Sequence, residues 1–494
     1  MRDLDRRLAS LPRLGPTEIV LGLTVLGAIL RFATLNVQSV WLDESATMIL
    51  VHRGFSGMLS HLSSSESTPP LYYILVWAWT KLFGAGPIGF RSFSALVGTL
   101  TIPVLYAAGR EISVRVGVWA CALAVVNPAM YYYSQEARAY GLLILFCAGA
   151  FVLWQRALRE PNRRNLAWWG AISVLALLTH YFAAFLFIPE AILLVRRLGW
   201  RRVWAPIGAV AIAGVALAPL ALSQRSDGKA SWIEEASLGS RASETVKQFL
   251  VGLYGPLEIL SAVLAALLAA GAIALLLARG EQRERSGARD AAIVGATGVL
   301  LPLALAASHL VDVFDGRNVI AAWVPFAVLV AAGLGLRRAP RAGALLGVAL
   351  CALSLAVIVA INALPAYQRD DWHGVAQALP TTPGARVIVA ERYSSAPLSI
   401  YLSGLRRIPG ASVSTDELDF AGLRIKRTGS SPLPAVVPTK APPGFHLAEV
   451  RRGEAFAVSR FVAPHPVRVS LAALRGVLGE PNGEVVLDYS RRAP

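Results

Sequence analysis

The chain has 494 residues, 55% of them hydrophobic and 16% charged, which is too apolar for a soluble protein and predicts that most of it lies in lipid. The formal net charge is +16, but the arginines form short clusters between apolar stretches, which is typical of cytoplasmic membrane loops and argues against a nucleic-acid partner. The cysteines Cys121, Cys147 and Cys351 fall inside apolar runs, which argues against a disulfide framework or a cysteine-based zinc site.

Membrane-spanning helices are expected along most of residues 1–364. A bilayer core of about 30 Å needs about 20 mostly apolar residues in a helix, and eleven stretches meet or nearly meet that length. The two shortest stretches form a pair near the middle of the chain. The predicted spans are residues 17–36, 89–109, 115–133, 139–158, 165–179, 181–195, 203–222, 256–279, 290–310, 318–336 and 342–363.

The distribution of arginines predicts the orientation of these spans. The basic segment 1–13 precedes the first span and places the N-terminus in the cytoplasm, with that span as a retained anchor. The apolar segment Pro69–Gly84 reaches only about 24 Å as a helix, at about 1.5 Å per residue. If it lies on the membrane surface, the arginine clusters between the spans all face the cytoplasm; if it spans, they all move outside. We therefore predict a juxtamembrane helix whose aromatic side chains suit the headgroup layer: Tyr72, Tyr73, Trp77 and Trp79.

This topology predicts an extracytoplasmic C-terminal domain at residues 365–494. The spacing of Trp372–Leu379 predicts a helix, Ala385–Ala390 reads as a buried strand, and residues 446–461 alternate like a hairpin. The expected fold class is an α-helical polytopic membrane protein of the cytoplasmic membrane with a small α/β domain. The remaining polar residues then gather on the outer side, mainly in the first outer loop, residues 37–88, and in the turn 134–138.

Two adjacent carboxylates, Asp43 and Glu44, follow the first span. A charged side chain is energetically costly beside an apolar environment and is seldom kept there without a function. One of the two carboxylates is therefore a candidate general base for an acceptor hydroxyl. The alternative is structural, because acidic residues also cap a helix and interact favourably with its N-terminal dipole. The spacing leaves both interpretations open.

The turn 134–138 carries Glu136 and Arg138, and the topology brings it to the same side as Asp43. Glu136 is a second candidate catalytic carboxylate, and Arg138 is a candidate ligand for a phosphate. The alternative is a local surface ion pair, worth at most about 1 kcal/mol.

Other cations are predicted on this side of the membrane. Arg91, Lys81 and Arg317 could together hold a phosphate at headgroup level through charge-assisted hydrogen bonds. An arginine at a helix end often only reaches toward water, so each one alone is a weak indication. His180 and Tyr181 lie at a turn between two spans and are candidates to line the same cavity, although an interfacial histidine is also commonly just solvated.

Four motifs in order resemble one enzyme family. They are Asp43-Glu44, the segment Thr68–Tyr73 with its double proline, the segment Arg91–Leu96 and the segment Tyr133–Tyr140. Together they resemble the bacterial branch of the polyprenyl-phosphate-dependent glycosyltransferases (family 39-like). These are GT-C fold enzymes that include protein O-mannosyltransferases and the lipid A aminoarabinose transferase. The resemblance covers about residues 17–340 and departs at Ser67-Thr68, where many relatives carry His or Lys.

The resemblance implies the activity and the roles of several residues. It implies that a sugar passes, with inversion, from a polyprenyl monophosphate to a lipid, glycan or protein acceptor outside the cytoplasmic membrane. Asp43 then matches the catalytic carboxylate, Glu136 the acidic position that shapes the active site, and Arg91 and Arg317 basic positions near the donor phosphate. No cofactor is implied, and this branch generally uses no metal.

Two other functions compete with this interpretation. A translocase or exporter of lipid-linked sugars would expose polar groups deep in the membrane or at both faces, whereas here the acidic residues gather on one face. A membrane anchor that presents the C-terminal domain would not need the two acidic turns at all. The sequence has no HExxH, no GxxxxGK[ST] and no GxSxG with partner residues, which argues against nucleotide-powered transport and two hydrolase classes.

Overall fold

The structure is a computed structural model that describes residues 15–226, 231–379, 385–424 and 433–489. The predicted basic segment 1–13 lies outside these residues. Most of the described chain is helical. The helices are α1 (Pro16–Phe32), α2 (Leu42–His52), α3 (Gly54–Ser65), α4 (Leu71–Phe83), α5 (Pro87–Arg110), α6 (Val114–Val126), α7 (Pro128–Tyr133), α8 (Tyr140–Arg159), α9 (Arg163–Thr179), α10 (Ala184–Leu198), α11 (Trp200–Ser226), α12 (Leu238–Val251), α13 (Glu258–Arg279), α14 (Gln282–Ala307), α15 (Trp323–Leu334), α16 (Pro340–Ala363), α17 (Trp372–Ala378), α18 (Ser395–Tyr401) and α19 (Leu471–Leu478).

Every predicted span coincides with a helix. Among the described residues, six helices are long and apolar enough to cross a membrane, namely α5, α8, α11, α13, α14 and α16. The other predicted spans form helices of 12 to 17 residues, namely α1, α6, α9, α10 and α15. The chain is therefore a membrane protein, and the crossing of these five shorter helices stays a prediction.

Two boundaries differ from the prediction for local reasons. The span 115–133 is divided into α6 and α7, because Asn127 leaves the helical conformation and its Oδ1 accepts from the N–H groups of Ala129 and Met130 at the start of α7. Helix α14 begins at Gln282 and not near residue 290, because Glu281 and Glu284 form a reciprocal capping box.

The first outer loop of the prediction is largely helical. It forms α2, α3 and α4, and α4 is the predicted juxtamembrane helix. Its Tyr72 and Tyr73 are buried inside the protein and pack with Phe90 of α5, so the expectation that they face lipid headgroups was wrong. The opposite end of α4 exposes Leu82, which is 79% accessible. The buried residues of α4, namely Tyr72, Tyr73, Val76 and Thr80, lie on one face of the helix.

The C-terminal residues form a six-stranded mixed sheet in the order β2-β6-β1-β3-β5-β4. The predicted helix, buried strand and hairpin are confirmed as α17, β1 and the antiparallel pair β4–β5. Strand β1 is buried on both faces, with Ile388 in the apolar cluster of α17 and α18 and Val389 in that of α19, which explains its continuous apolar run. The strands are β1 (Arg386–Ala390), β2 (Leu405–Arg407), β3 (Ser412–Leu423), β4 (His446–Arg452), β5 (Phe456–Ser470) and β6 (Glu484–Asp488).

The sheet domain contacts the helical part where α1 leads into α2. The Tyr401 hydroxyl accepts a hydrogen bond from the backbone N–H of Val40 (2.7 Å). The backbone N–H of His373 donates to Ser39 Oγ (2.8 Å). These contacts hold the start of the sheet domain against the residues that precede Asp43. The domain boundary after residue 364 stays a prediction.

Candidate active site

The turn that carries Glu136 is fixed by buried polar contacts to α1. Arg31 Nε donates to Ser134 Oγ (2.9 Å), and Gln135 Nε2 donates to the carbonyl oxygen of Arg31 (2.8 Å). The hydroxyl of Ser94 on α5 donates to the carbonyl oxygen of Glu136 (2.5 Å). A Cβ atom at Gly98 would overlap Ser134 Oγ, so glycine is needed where α5 passes the turn. These contacts leave the Glu136 side chain in a defined place.

The two acidic turns meet, as the predicted topology requires. The backbone N–H of Ala137 donates to Glu44 Oε1 (3.0 Å), and Arg138 Nη1 donates to the carbonyl oxygen of Asp43 (3.3 Å). Contacts across 93 and 95 positions of the chain therefore join the start of α2 to the turn 134–138. Asp43, Glu44 and Glu136 belong to one neighbourhood.

Glu44 is fully buried and fully paired. Arg91 binds it through two hydrogen bonds, Nε to Oε1 (2.8 Å) and Nη2 to Oε2 (2.6 Å), and Arg369 Nη1 donates to Oε2 (3.0 Å). Burial alone would raise the pKa of Glu44, but the two guanidinium groups and the N–H of Ala137 hold it at about 2. Glu44 is therefore a charged anchor between α2, α5 and the segment after α16.

Arg91 has no donor left for a phosphate. Its Nη1 donates to the carbonyl oxygens of Leu35 (2.9 Å) and Gln38 (2.7 Å), and its Nη2 also donates to that of Ser39 (2.8 Å). With the two bonds to Glu44, all five N–H groups are used. The structure thus places the predicted phosphate ligand in a buried structural role. The spacing could not reveal this, because both roles require an arginine at a helix start.

A cavity of about 530 Å³ lies beside these turns, within the size range of small-molecule sites. The segment between α1 and α2, the helices α7, α12 and α16 with their adjoining segments, and the segment after α16 contribute to it, and the sheet domain adds Glu391, Leu423 and Arg424. Its wall includes Tyr132, Glu136, Trp232, Tyr254, Arg317 and Arg369.

Glu136 presents a carboxyl group to this cavity. The residue is 2% exposed, and its Oε2 has no hydrogen-bond partner among the described residues. Burial raises the pKa of Glu136 to about 7, and the attraction of Arg369 only partly opposes this. A carboxyl group with a pKa near neutral can exchange a proton with a bound hydroxyl at physiological pH.

Asp43 is joined to the cavity through Arg317. Arg317 Nη1 lies 2.7 Å from Asp43 Oδ2, and Arg317 Nε lies 3.4 Å from Asp315 Oδ1. The guanidinium carbon stacks 4.2 Å from the ring centroid of Trp232. The Asp43 side chain is a quarter exposed. Asp43 contacts Arg317 but is not itself part of the cavity wall. The structure thus brings Asp43, Arg317 and Glu136 to one site.

Arg138 points away from the cavity. Its Nη1 contacts both carboxylate oxygens of Glu66 (2.9 and 2.7 Å) and Thr47 Oγ1 (3.1 Å). The alternative of a local surface ion pair between Glu136 and Arg138 is thus wrong, because Arg138 pairs with the buried Glu66 between α3 and α4. Sequence reasoning had assigned no role to Glu66.

Three other predicted ligands lie outside the cavity wall. Lys81 is exposed on α4, 5.2 Å from the ring centroid of Trp77. His180 is buried between the rings of Tyr140 and Phe182, and the Tyr181 hydroxyl donates to Gln224 Oε1 (2.8 Å). Each of these side chains has a packing role that its sequence position did not reveal.

Arg369 is one of the cavity residues that the sequence analysis missed. It follows α16 in the segment that leads to the sheet domain, and it contacts Glu44 across 325 residues of sequence. One signal was present, because Arg369 follows the last predicted span by a few residues, as Asp43 follows the first. Among the described residues, no group of three or more His, Cys, Asp and Glu could hold a metal ion, and the expectation of a metal-free enzyme stays a prediction.

Comparison with known proteins agrees with this architecture. Residues 67–223, about a third of the chain, match the family described as dolichyl-phosphate-mannose-protein mannosyltransferase. No curated protein sequence matches the chain.

Two solved structures share the fold. ArnT from Cupriavidus metallidurans in the apo state superposes with a TM-score of 0.55 at 12% identity, over 90% of this chain and 98% of that one. The same protein bound to undecaprenyl phosphate gives a TM-score of 0.52 at 13% identity with the same coverage. At this identity the likeness establishes the fold alone. The chain is therefore a membrane protein with the GT-C glycosyltransferase fold, of which residues 67–223 match the mannosyltransferase family.

Proposed function

We propose that the protein is an inverting glycosyltransferase that moves a sugar from a polyprenyl monophosphate to an acceptor on the outer side of the cytoplasmic membrane. The observation that carries this proposal is the cavity wall, where the unpartnered carboxyl oxygen of Glu136 shares one space with Arg317. Sugar transfer from a lipid phosphate needs a proton acceptor and a cation in this arrangement. The GT-C fold and the partial family match support the same reaction.

The proposed reaction is a single displacement. The hydroxyl oxygen of the acceptor attacks the anomeric carbon on the face opposite the phosphate, and the bond from that carbon to the phosphate oxygen breaks. The electron pair leaves with the polyprenyl phosphate, and the hydroxyl proton passes to a carboxylate. The lipid phosphate is already a leaving group, so the enzyme has to supply orientation, a base and positive charge.

Two carboxylates compete for the role of base. Glu136 is favoured by geometry, because the residue lines the cavity, its Oε2 has no hydrogen-bond partner in the part of the chain that the structure describes, and its pKa of about 7 suits a general base. Asp43 is favoured by its place in the family motif. The pH dependence of transfer separates them: if Glu136 is the base, the activity rises with pH through about 7, and the Glu136→Gln variant loses this dependence.

Arg317 is the proposed ligand of the donor phosphate. It lies in the cavity wall and now holds Asp43 Oδ2 at 2.7 Å. A phosphate that binds this guanidinium competes with Asp43 for the same N–H groups. Donor binding would then weaken the ion pair between Arg317 and Asp43. The Asp43 carboxylate would become free of Arg317 only when the donor is bound.

The direct test is consumption of a donor. Purified protein is incubated with a panel of labelled polyprenyl-phosphate monosaccharides, and the release of polyprenyl phosphate is followed with and without candidate acceptors. We expect one donor to be consumed, with product of inverted anomeric configuration by NMR. Glu111→Gln is the matched control, because Glu111 pairs with Arg156 and Arg159 on the opposite predicted side.

The competing functions give different results in the same assay. A translocase would move the donor across a liposome membrane without cleaving it. A membrane anchor would leave every donor intact, and neutral variants of Asp43 and Glu136 would have no phenotype. Failure to consume any donor of the panel under conditions where the donor binds would count against the proposed transfer.

A further inference from the structure

We infer that Arg369 binds the phosphate group of the donor, so that the segment leading into the C-terminal domain completes the donor site. This inference rests on the proposed function and adds to it a ligand that lies outside the resembling part of the chain. The residue is an integral part of the cavity wall, although it follows the last helix of the membrane region.

The hydrogen bonds of Arg369 leave one edge of the guanidinium group free. Nη1 donates to Glu44 Oε2 (3.0 Å) and to the carbonyl oxygen of Gln135 (3.1 Å). Nε and Nη2 have no hydrogen-bond partner among the described residues, although the side chain is only 5% exposed. Buried donors without partners are rare and costly, and here they belong to a side chain of a residue that lines a cavity. A ligand with acceptor oxygens would satisfy them.

The charges around Glu44 also favour an anion beside Arg369. One carboxylate faces two guanidinium groups, those of Arg91 and Arg369. All five donors of Arg91 are used within the protein, so of these two arginines only Arg369 has donors left for a ligand. No ion pair joins Arg369 to Glu136 in the described structure, although both line the same cavity.

The free edge of Arg369 fits a phosphate. Nε and Nη2 are neighbouring donors in the plane of the guanidinium group, a geometry that matches two oxygens of one phosphate. The Tyr132 ring lies 4.5 Å from the guanidinium carbon and supports the plane from one side. Arg317, in the same wall, can approach the same phosphate from another direction.

The sheet domain holds Arg369 in position. The backbone N–H of Arg369 donates to Gln38 Oε1 (3.1 Å), and the N–H of His373 donates to Ser39 Oγ (2.8 Å). The Tyr401 hydroxyl on α18 adds the contact to Val40. Three contacts thus fasten the residues around Arg369 to the segment between α1 and α2, so the C-terminal domain contributes to the donor site through this arginine.

The test compares two ligands that differ only in the phosphate. Affinities for a polyprenyl phosphate and for the polyprenol of the same chain length are measured on the full chain in detergent, for the wild type and Arg369→Gln. We expect the variant to bind the phosphate about 10-fold to 100-fold more weakly and the alcohol equally well. Arg197→Gln, which removes an arginine paired with Asp290 and outside the cavity wall, should change neither affinity.

Other outcomes overturn the inference or the proposed function separately. If Arg369→Gln keeps the phosphate preference, or loses affinity for both ligands equally, Arg369 is only a structural partner of Glu44. If the wild type itself does not prefer the phosphate, the proposed function fails. Arg369→Lys serves if the glutamine variant does not fold, because it keeps the charge but loses the paired donors; an undiminished preference in it contradicts the inference.

Discussion

Glu44 and Glu136 are both buried carboxylates on adjoining segments, yet their surroundings have opposite effects. Four N–H groups donate to Glu44, from Arg91, Arg369 and Ala137, and they hold its pKa at about 2 in spite of burial. Glu136 lies in a cavity wall with one oxygen that no described residue pairs, and burial raises its pKa to about 7. Burial of a carboxylate therefore does not by itself indicate reactivity. What distinguishes the two is whether the protein or a ligand satisfies the charge.

Removal of a candidate base should have the largest effect. We expect Asp43→Asn and Glu136→Gln each to lower the kcat/KM of sugar transfer, and the variant at the true base to lose about 10²-fold to 10⁴-fold, the usual contribution of proton transfer. Glu111→Gln is the control and should transfer normally. Normal turnover by both Asp43→Asn and Glu136→Gln would refute a carboxylate base at this site.

Neutralisation of the anchor should act on stability. Glu44→Gln leaves Arg91 and Arg369 without their buried counter-charge, and breaking a buried ion pair costs about 3–5 kcal/mol. We expect a clear drop in the thermal unfolding temperature in detergent, whereas Glu136→Gln should unfold at the wild-type temperature or above at pH 8. An equal drop in the unfolding temperature of both variants would contradict the claim that Glu44 is a structural ion-pair partner and Glu136 is not.

The pH dependence of stability should also differ between the two carboxylates. The pKa of Glu136 rises from 4.5 to about 7 on folding, so its stabilising contribution is present below 4.5 and is lost as pH rises through about 7. The pKa of Glu44 falls from 4.5 to about 2, so its contribution is present above 4.5 and is lost as pH falls through about 2. The unfolding temperature of Glu136→Gln, relative to that of the wild type, should therefore be higher at pH 8 than at pH 5.

The smallest effect is expected at Lys81. Its side chain is exposed on α4 and contacts Trp77, outside the cavity wall. Lys81→Ala should leave the donor KM and the unfolding temperature unchanged. A strong rise in donor KM would mean that the phosphate lies near α4. That result would contradict a phosphate bound at Arg317 in the cavity wall.

The sequence was sufficient for the elements whose stability depends on apolar burial. All predicted spans are helices because long apolar runs have few other stable forms in lipid. Helix α12 escaped this reasoning because its buried face is polar, with Arg241, Thr245 and Gln248. The spacing of apolar residues in the sequence cannot reveal a helix whose buried face is polar.

The site was harder to predict than the helices. The charge distribution brought Asp43 and Glu136 together, since it fixes which turns share a side. It could not decide which arginine binds a ligand, because Arg91 and Arg317 are both arginines near helix ends and differ only in their partners. The position of Arg369 after the last span was a signal, but its contact with Glu44 could not be predicted because it depends on how the sheet domain packs against the helices.

The most direct test of the central claim is the position of a bound phosphate. A cryo-electron microscopy structure of the full chain with a polyprenyl phosphate would locate it. We expect the phosphate in the cavity, in hydrogen-bond contact with Arg317 and Arg369, with the Glu136 carboxyl group across the same space. A phosphate bound at the opposite ends of the helices, or beside Lys81 on α4, would contradict the proposed sugar-transfer site.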